Sequence, residues 1–233
     1  MKPIIGILNN LKVNENEGPY AEYYMANKVY MDRLKESGGL GLSIYSADEE
    51  ILDKCDGFLL IGGHRITSEH YKVIEYAIKH NKPLLGICNG CQAIILYDYL
   101  YTKCYNPTVD NLMKKYSELR ENKVTILEQL EGHGSELSQR KIEFNMDTIN
   151  ARRHSVNLYS ELKNIYGVDT INVASIHTYG FHNVTSNLEV IAKSDDGVVE
   201  GVKYKNKPII GVQFHAELDD NIVLFQEFIK KCS

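Results

Sequence analysis

The chain has 233 residues, 43% of them apolar and 24% charged, with 26 Lys and Arg against 31 Asp and Glu for a net charge of −5. That length buries a core without disulfides or structural metals, and the acidic balance excludes the basic field that nucleic-acid binding needs. No apolar run approaches the ~20 residues of a membrane span, the start turns polar too soon for a secretory signal, and the five cysteines at 55, 88, 91, 104 and 232 read as reduced thiols of a cytoplasmic protein.

Pro3–Leu8 reads as a buried strand, followed by a polar loop through Gly18. Residues 19–37 carry apolar side chains at Ala21, Tyr24, Val29, Met31 and Leu34, which predicts a helix stopped by Gly38-Gly39. Leu40–Tyr45 is a second strand, and Ser46 is placed to cap a short helix over 47–54. Gly57–Ile61 is a third strand, ending at Gly62-Gly63; Tyr71, Ile74, Ala77 and Ile78 then give 67–80 helical spacing. Pro83–Cys88 is a fourth strand and Gly90–Tyr99 a helix. Apolar strands alternating with helices predict βαβ units and a parallel sheet covered on both faces.

Residues 101–150 are polar and weakly periodic, and their pattern assigns no order of elements. His154–Tyr159 and Thr170–Ile176 read as strands. Leu188–Ser194, Val198–Tyr204 and Pro208–Phe214 are strand-length runs joined by Asp195-Asp196-Gly197 and Lys205-Asn206-Lys207, which read as hairpin turns. A helix over 219–231 closes the pattern. Without repeats or Pro/Gly linkers, residues 1–233 are expected to form a single α/β domain.

The most informative segment is Gly86-Ile87-Cys88-Asn89-Gly90-Cys91-Gln92, a strand, a Gly-x-Cys-x-Gly turn and a helix. A nucleophile on such a turn needs small neighbours, because the backbone is tight and lifts the side chain above the sheet edge. The helix N-terminus then faces the sulfur with partial positive charge, which favours the attacking thiolate. A thiol nucleophile wants an imidazole, and the imidazole wants an orienting carboxylate. Most of the eight histidines read as surface or loop residues, with His70 and His80 on a helix face and His133 in a Gly-His-Gly loop. His215 differs, because it follows the apolar run Ile209–Phe214 and precedes Glu217 by two positions. On an extended strand those two side chains share a side. Gly62-Gly63 ends a neighbouring strand, where backbone can approach a ligand closely, and the Asn89 N–H supplies a second donor for an oxyanion. Singly, these features read as a structural cysteine, a solvated strand end and a plain turn; together they place three complementary parts at three strand ends.

These motifs resemble the class I glutamine amidotransferases, within them the gamma-glutamyl hydrolase or gamma-glutamyl-gamma-aminobutyrate hydrolase (peptidase C26-like) branch. Gly86–Gln92 is similar to that family's nucleophile elbow, Gly211-Val212-Gln213-Phe214-His215-Ala216-Glu217 to its G-V-Q-[FW]-H-P-E motif, and Leu59–Gly63 to its oxyanion strand. His154-Ser155-Val156 and Val173–His177 are softer matches to the hydrolase branch. The resemblance implies a flavodoxin-like α/β fold, its mostly parallel central sheet flanked by helices, with a C-terminal antiparallel hairpin region. It implies Cys88 as nucleophile, His215 as base then acid, Glu217 as orienter, Gly63 and Asn89 as oxyanion donors, and Gly62, Gln92, Ser175 and His177 at the substrate. The implied chemistry is hydrolysis of a small-molecule gamma-glutamyl amide through a thioester, without metal or organic cofactor. Asn89, Ala216 and His64 depart from the usual Arg, Pro and Asp, which leaves the amine half of the substrate open.

Three other readings compete. A glutaminase subunit would pass ammonia to a separate synthetase. Cys88 and Cys91 form a C-x-x-C redox pair on paper, and Cys88, Cys91, His64 and His215 could be grouped as metal ligands. A lapsed binding module would have no need of the intact Cys, His and Glu. Oligomeric state stays open, a homodimer included.

Overall fold

The structure, a computed structural model, describes residues 1–13, 22–121 and 126–233. In chain order its elements begin with β1 (Ile4–Leu8), β2 (Asn10–Val13), β3 (Glu22–Met25), α1 (Lys28–Glu36), β4 (Leu40–Ile44), α2 (Glu49–Leu52), β5 (Gly57–Leu60), α3 (Ser68–His80), β6 (Leu84–Ile87) and α4 (Asn89–Lys103). There follow α5 (Val109–Glu121), β7 (Glu128–Gln129), α6 (Ser135–Ser138), α7 (Met146–Asn150), β8 (His154–Leu158), α8 (Ser160–Tyr166), β9 (Thr170–Val173) and β10 (Tyr179–Gly180). The last are β11 (Leu188–Ser194), β12 (Val199–Tyr204), β13 (Ile209–Val212), a 3-10 turn at Ala216–Leu218, and α9 (Val223–Lys231). No helix among the described residues is long and apolar enough to cross a membrane.

One nine-stranded sheet runs β4-β1-β5-β6-β13-β12-β11-β8-β9. The first five strands are mutually parallel, and the flavodoxin-like half of the expected fold is therefore present. From β13 onward the pairings are antiparallel. The hairpin region is thus no separate layer; it continues the same sheet, joined through β13.

The continuous apolar runs follow from burial on both faces. Successive side chains point to opposite sides of a strand. Phe58 and Leu60 enter the core under α3, α4 and α5, while Leu59 and Ile61 enter the one under α1, α8 and α9. Each fully buried Leu, Ile or Phe contributes roughly 1.5–3 kcal/mol of apolar transfer, so both layers are held by many such side chains. Deep in the first core, the Asp98 carboxylate of α4 accepts hydrogen bonds from Tyr204 Oη at 2.5 Å, Asn187 Nδ2 at 3.1 Å and Thr185 Oγ1. That buried charge is satisfied by three donors from the antiparallel half, which ties the two halves together.

Several expectations change. Helix α1 begins only at Lys28, and Glu22–Met25 pairs with Asn10–Val13 as a hairpin, so strand replaces both the start of the predicted helix and part of the predicted loop. Residues 14–21, over which those two predictions also run, lie outside the described residues. Asp48, not Ser46, precedes α2, and the Ser46 hydroxyl donates to the Asp48 carboxylate at 2.6 Å. Within 101–150, α5 packs on α3 and α4. His70 is buried rather than exposed: it accepts the Thr67 N–H at 3.2 Å, and burial holds its imidazole down to about 4.

Helix α4 crosses β5 at Gly90 so closely that a Cβ there would lie 2.2 Å from the Leu60 carbonyl oxygen and 2.7 Å from Leu60 Cβ. Backbone cannot yield as a side-chain tip can. Gly90→Ala is therefore expected to lower unfolding free energy by about 1–3 kcal/mol or more. Urea denaturation measures it; an unchanged midpoint and slope would contradict this packing.

Candidate functional site

Cys88 sits between β6 and α4 with φ 51 and ψ −105, a conformation that L-residues rarely adopt. Strain of this kind, of order 1–3 kcal/mol, persists only where the surroundings enforce it. Here the Cys88 N–H donates to the Val212 carbonyl at 2.8 Å, and the Cys88 carbonyl accepts the Gln92 N–H at 3.0 Å. A Cβ on Gly86 would lie 2.7 Å from the Gly90 carbonyl, so the two glycines of the turn pack on each other. The Asn89 N–H opens α4, and helical geometry gives it no partner within the helix.

His215 and Glu217 meet, but not on an extended strand. The chain leaves β13 at Val212 and curls, so that Leu218 N–H reaches the His215 carbonyl at 3.0 Å. The curl brings His215 Nδ1 to 2.6 Å from Glu217 Oε1. Tyr30 of α1 donates its hydroxyl to the same Oε1 at 2.8 Å and accepts the Gly62 N–H at 3.1 Å. Arg33 Nε holds the Glu217 carbonyl at 2.9 Å. A Cβ on Gly62 would stand 3.0 Å from His215 Cε1, 3.0 Å from Tyr30 Oη and 3.6 Å from Cys88 Cβ, so these side chains converge on the bare edge of that glycine.

The electrostatics follow from this packing. Burial opposes charge on the His215 ring, but the Glu217 carboxylate and the Cys88 sulfur outweigh it and hold the imidazole well above the ordinary histidine range. Cys88 acts on the ring through proximity; His215 Nε2 is buried and makes no hydrogen bond among the described residues. Burial and the Glu217 carboxylate likewise push the Tyr30 phenol up, so it remains a donor. Cys91, by contrast, is fully buried, packs against Gly211, and has its thiol raised by burial, so the second sulfur of a redox pair with Cys88 has no solvent access.

Cys88, Asn89, His215, Gln92, Gly62 and Gly63 line a cleft of about 980 Å³. Gly62 contributes shape, because its N–H is taken by Tyr30 and its carbonyl accepts Asn10 Nδ2 at 2.6 Å. Asn10, carried by the β2–β3 hairpin, lies directly over Gly63. Gln92 Nε2 donates to the Tyr179 carbonyl at 2.9 Å and to Gln213 Oε1 at 3.2 Å. His177 reaches the cleft wall, whereas Ser175 is fully buried behind it and donates its hydroxyl to the His133 carbonyl at 2.9 Å. His64 stands exposed at the cleft, where Lys12 and Arg140 also line it. Tyr30 carried no sequence signal, since a lone tyrosine in an amphipathic stretch reads as core. Arg140 falls within 101–150, where the pattern assigned no elements.

Because Glu217 is the leading cause that raises the His215 ring against burial, with Cys88 the other, Glu217→Gln should lower the ring's midpoint. The imidazole midpoint, followed by NMR, is expected to fall. A midpoint that stays high would break the link between the two side chains.

Comparison with known proteins agrees with this architecture. The chain is 28% identical over 195 residues to a glutamine-hydrolyzing GMP synthase subunit of Picrophilus torridus, covering 80% of this chain and 82% of that protein. It is 24% identical over 264 residues to the gamma-glutamyl-gamma-aminobutyrate hydrolase PuuD of Escherichia coli, covering 99% and 93%. The glutaminase domain of Trypanosoma brucei CTPS, solved with bound acivicin, superposes with a TM-score of 0.60 at 14% identity, covering 99% of this chain and 94% of that one. The sequence profile of the peptidase C26 family matches residues 68–217, from the start of α3 through the 3-10 turn that carries Glu217. By that match, over well more than half of its length, the chain belongs to the peptidase C26 family.

Proposed function

We propose that the protein is a cysteine hydrolase of gamma-glutamyl amides, with Cys88 as nucleophile, His215 as proton carrier and Glu217 as its orienting partner. The observation that carries this reading is the convergence of Cys88 and His215 on the bare edge of Gly62, with Glu217 bonded behind the ring. His215 Nε2 takes the Cys88 thiol proton as Sγ attacks the gamma-carbonyl carbon, and the C=O π pair moves onto the carbonyl oxygen. The N–H groups of Asn89 and Gly63 are assigned to that oxyanion. Collapse breaks the C–N bond, and His215 Nε2 passes its proton to the departing amine. A water then attacks the thioester carbon and gives a proton to Nε2; collapse breaks the C–S bond and releases glutamate, and Nε2 returns that proton to the sulfur. Lys12 and Arg140 at the cleft supply cations for the glutamyl carboxylate.

The similarity to a GMP synthase component supports a second reading, in which the released ammonia passes to a separate synthetase. The two readings differ in one measurement. A stand-alone hydrolase releases glutamate unaided; a glutaminase that serves a synthetase does so only with its partner.

The test is a panel of gamma-glutamyl amides, glutamine and gamma-glutamyl-aminobutyrate included, assayed for glutamate release. Cys88→Ala should lose activity on the order of 10³-fold or more, and undiminished turnover in that variant would end the proposal. Tyr30→Phe, which removes the support behind Glu217, is expected to lower kcat about 10-fold with a smaller change in KM, a cost of about 1.4 kcal/mol in the barrier. A change confined to KM would assign Tyr30 to substrate binding instead.

A further inference from the structure

A second cluster of ionisable groups lies behind the cleft wall, and the proposed hydrolysis does not use it. Its centre is Glu200 of β12, fully buried, with both carboxylate oxygens lacking a hydrogen-bond partner among the described residues. Three imidazole nitrogens surround Glu200 Oε1: His133 Nδ1 at 3.2 Å, His177 Nε2 at 3.5 Å and His154 Nε2 at 3.6 Å. None of the three has a hydrogen-bond partner among the described residues either.

The far sides of two of these rings each meet an acceptor. His133 Nε2 lies 2.8 Å from Asp196 Oδ2, and His177 Nδ1 lies 3.1 Å from the Tyr179 carbonyl. A carboxylate and a carbonyl only accept, so both ring nitrogens are the N–H donors. A neutral imidazole has one N–H. With one proton each, His133 and His177 would turn the Nδ1 and Nε2 lone pairs toward Glu200; without a cation the Glu200 and Asp196 carboxylates raise the His133 imidazole against burial, so a metal ion entering here would displace a proton from that ring. Orientation of the ring by a carboxylate or carbonyl on its outer nitrogen is the arrangement metal-binding histidines use.

We propose that His133, His177 and Glu200 form a binding site for a divalent late first-row metal ion, with Zn²⁺ as the reference case. The ligand atoms of these three residues lie within 4.8 Å of one another. The separations from Oε1 exceed the roughly 2.7–2.9 Å of a charge-assisted N–H···O bond. They fit the edge of about 3.3 Å of a tetrahedron with metal bonds of about 2.0–2.1 Å. Imidazole donors select zinc-like ions over Mg²⁺ or Ca²⁺, which take oxygen. His154, its ring edge-on to His133, stands on the remaining side. This is not the set of Cys88, Cys91, His64 and His215 that the sequence could be grouped into. Its consequence is mechanical: the His133 carbonyl already accepts from His177 N–H at 3.0 Å and from Ser175, and the Tyr179 carbonyl also holds Gln92. A shared ion would clamp the 132–134 loop to the segment that forms the cleft wall.

The test reads metal, not turnover, so its result is independent of the proposed reaction. The full chain carrying Cys88→Ala, which removes the cleft thiol as a rival ligand, is stripped with chelator and dialysed against ZnCl₂ or CoCl₂. One equivalent of Zn²⁺ is expected, with a rise in Tm, and the Co²⁺ form should show the visible bands of a four-coordinate site. Glu200→Gln and His133→Asn, each added to that background, should weaken binding at least about 10-fold. If Glu200→Gln does not fold, His133→Asn in the loop carries the comparison. Less than about 0.1 equivalent bound with an unmoved Tm, or unchanged affinity in the folded variants, would overturn the site and leave protonated imidazoles as the partners of Glu200.

Discussion

One carboxylate oxygen, Glu217 Oε1, receives both the His215 ring and the Tyr30 hydroxyl, and the candidate site is assembled around it. Through Tyr30 it is tied to the Gly62 N–H at the end of β5, and through His215 to the chain that leaves β13. Cys88, at the end of β6, faces the same point. Three strand ends, each rigid but far apart in sequence, are thereby held in mutual register. Burial makes each of these contacts count for more, because a buried polar group that loses its partner bears the cost of desolvation.

The strands of the parallel half could be read from the chain because both of their faces are covered, which leaves unbroken apolar runs. The elbow at Cys88 was legible for a related reason, as its two glycines are forced by contacts of 2.7 Å and less. Helix α5 was also written in the sequence, in Val109, Leu112, Met113, Tyr116 and Leu119, but its polar surroundings hid the pattern. The β2–β3 hairpin was not legible, since short exposed strands have neither a clear period nor a buried face. Tyr30, His133 and Glu200 were invisible for a different reason. What each side chain does depends on residues brought near by tertiary folding, and nothing local distinguishes a buried polar partner from an ordinary surface residue.

His215 and Glu217 show that a correct pairing can rest on a wrong geometry. An extended strand would place positions two apart on one side, and this predicted their contact. The structure reaches the same contact by a 3-10 turn, with the Arg33 guanidinium fixing the Glu217 carbonyl. The turn also lets the pair lie against α1, where Tyr30 waits. A straight continuation of β13 would carry Glu217 onward along the strand axis instead.

The place of β13 has a consequence for how the protein is made. This strand follows β6 by more than a hundred residues in the chain, yet it is inserted between β6 and β12 in the middle of the sheet. At synthesis rates of roughly 5–20 residues per second, the cysteine of the elbow emerges on the order of ten seconds before its histidine does. Throughout that interval the nascent polypeptide has an open edge beside β6 and a sulfur without its base. Under the proposed chemistry, a half-made chain is unarmed, and competence arrives in a single late event when the edge is filled.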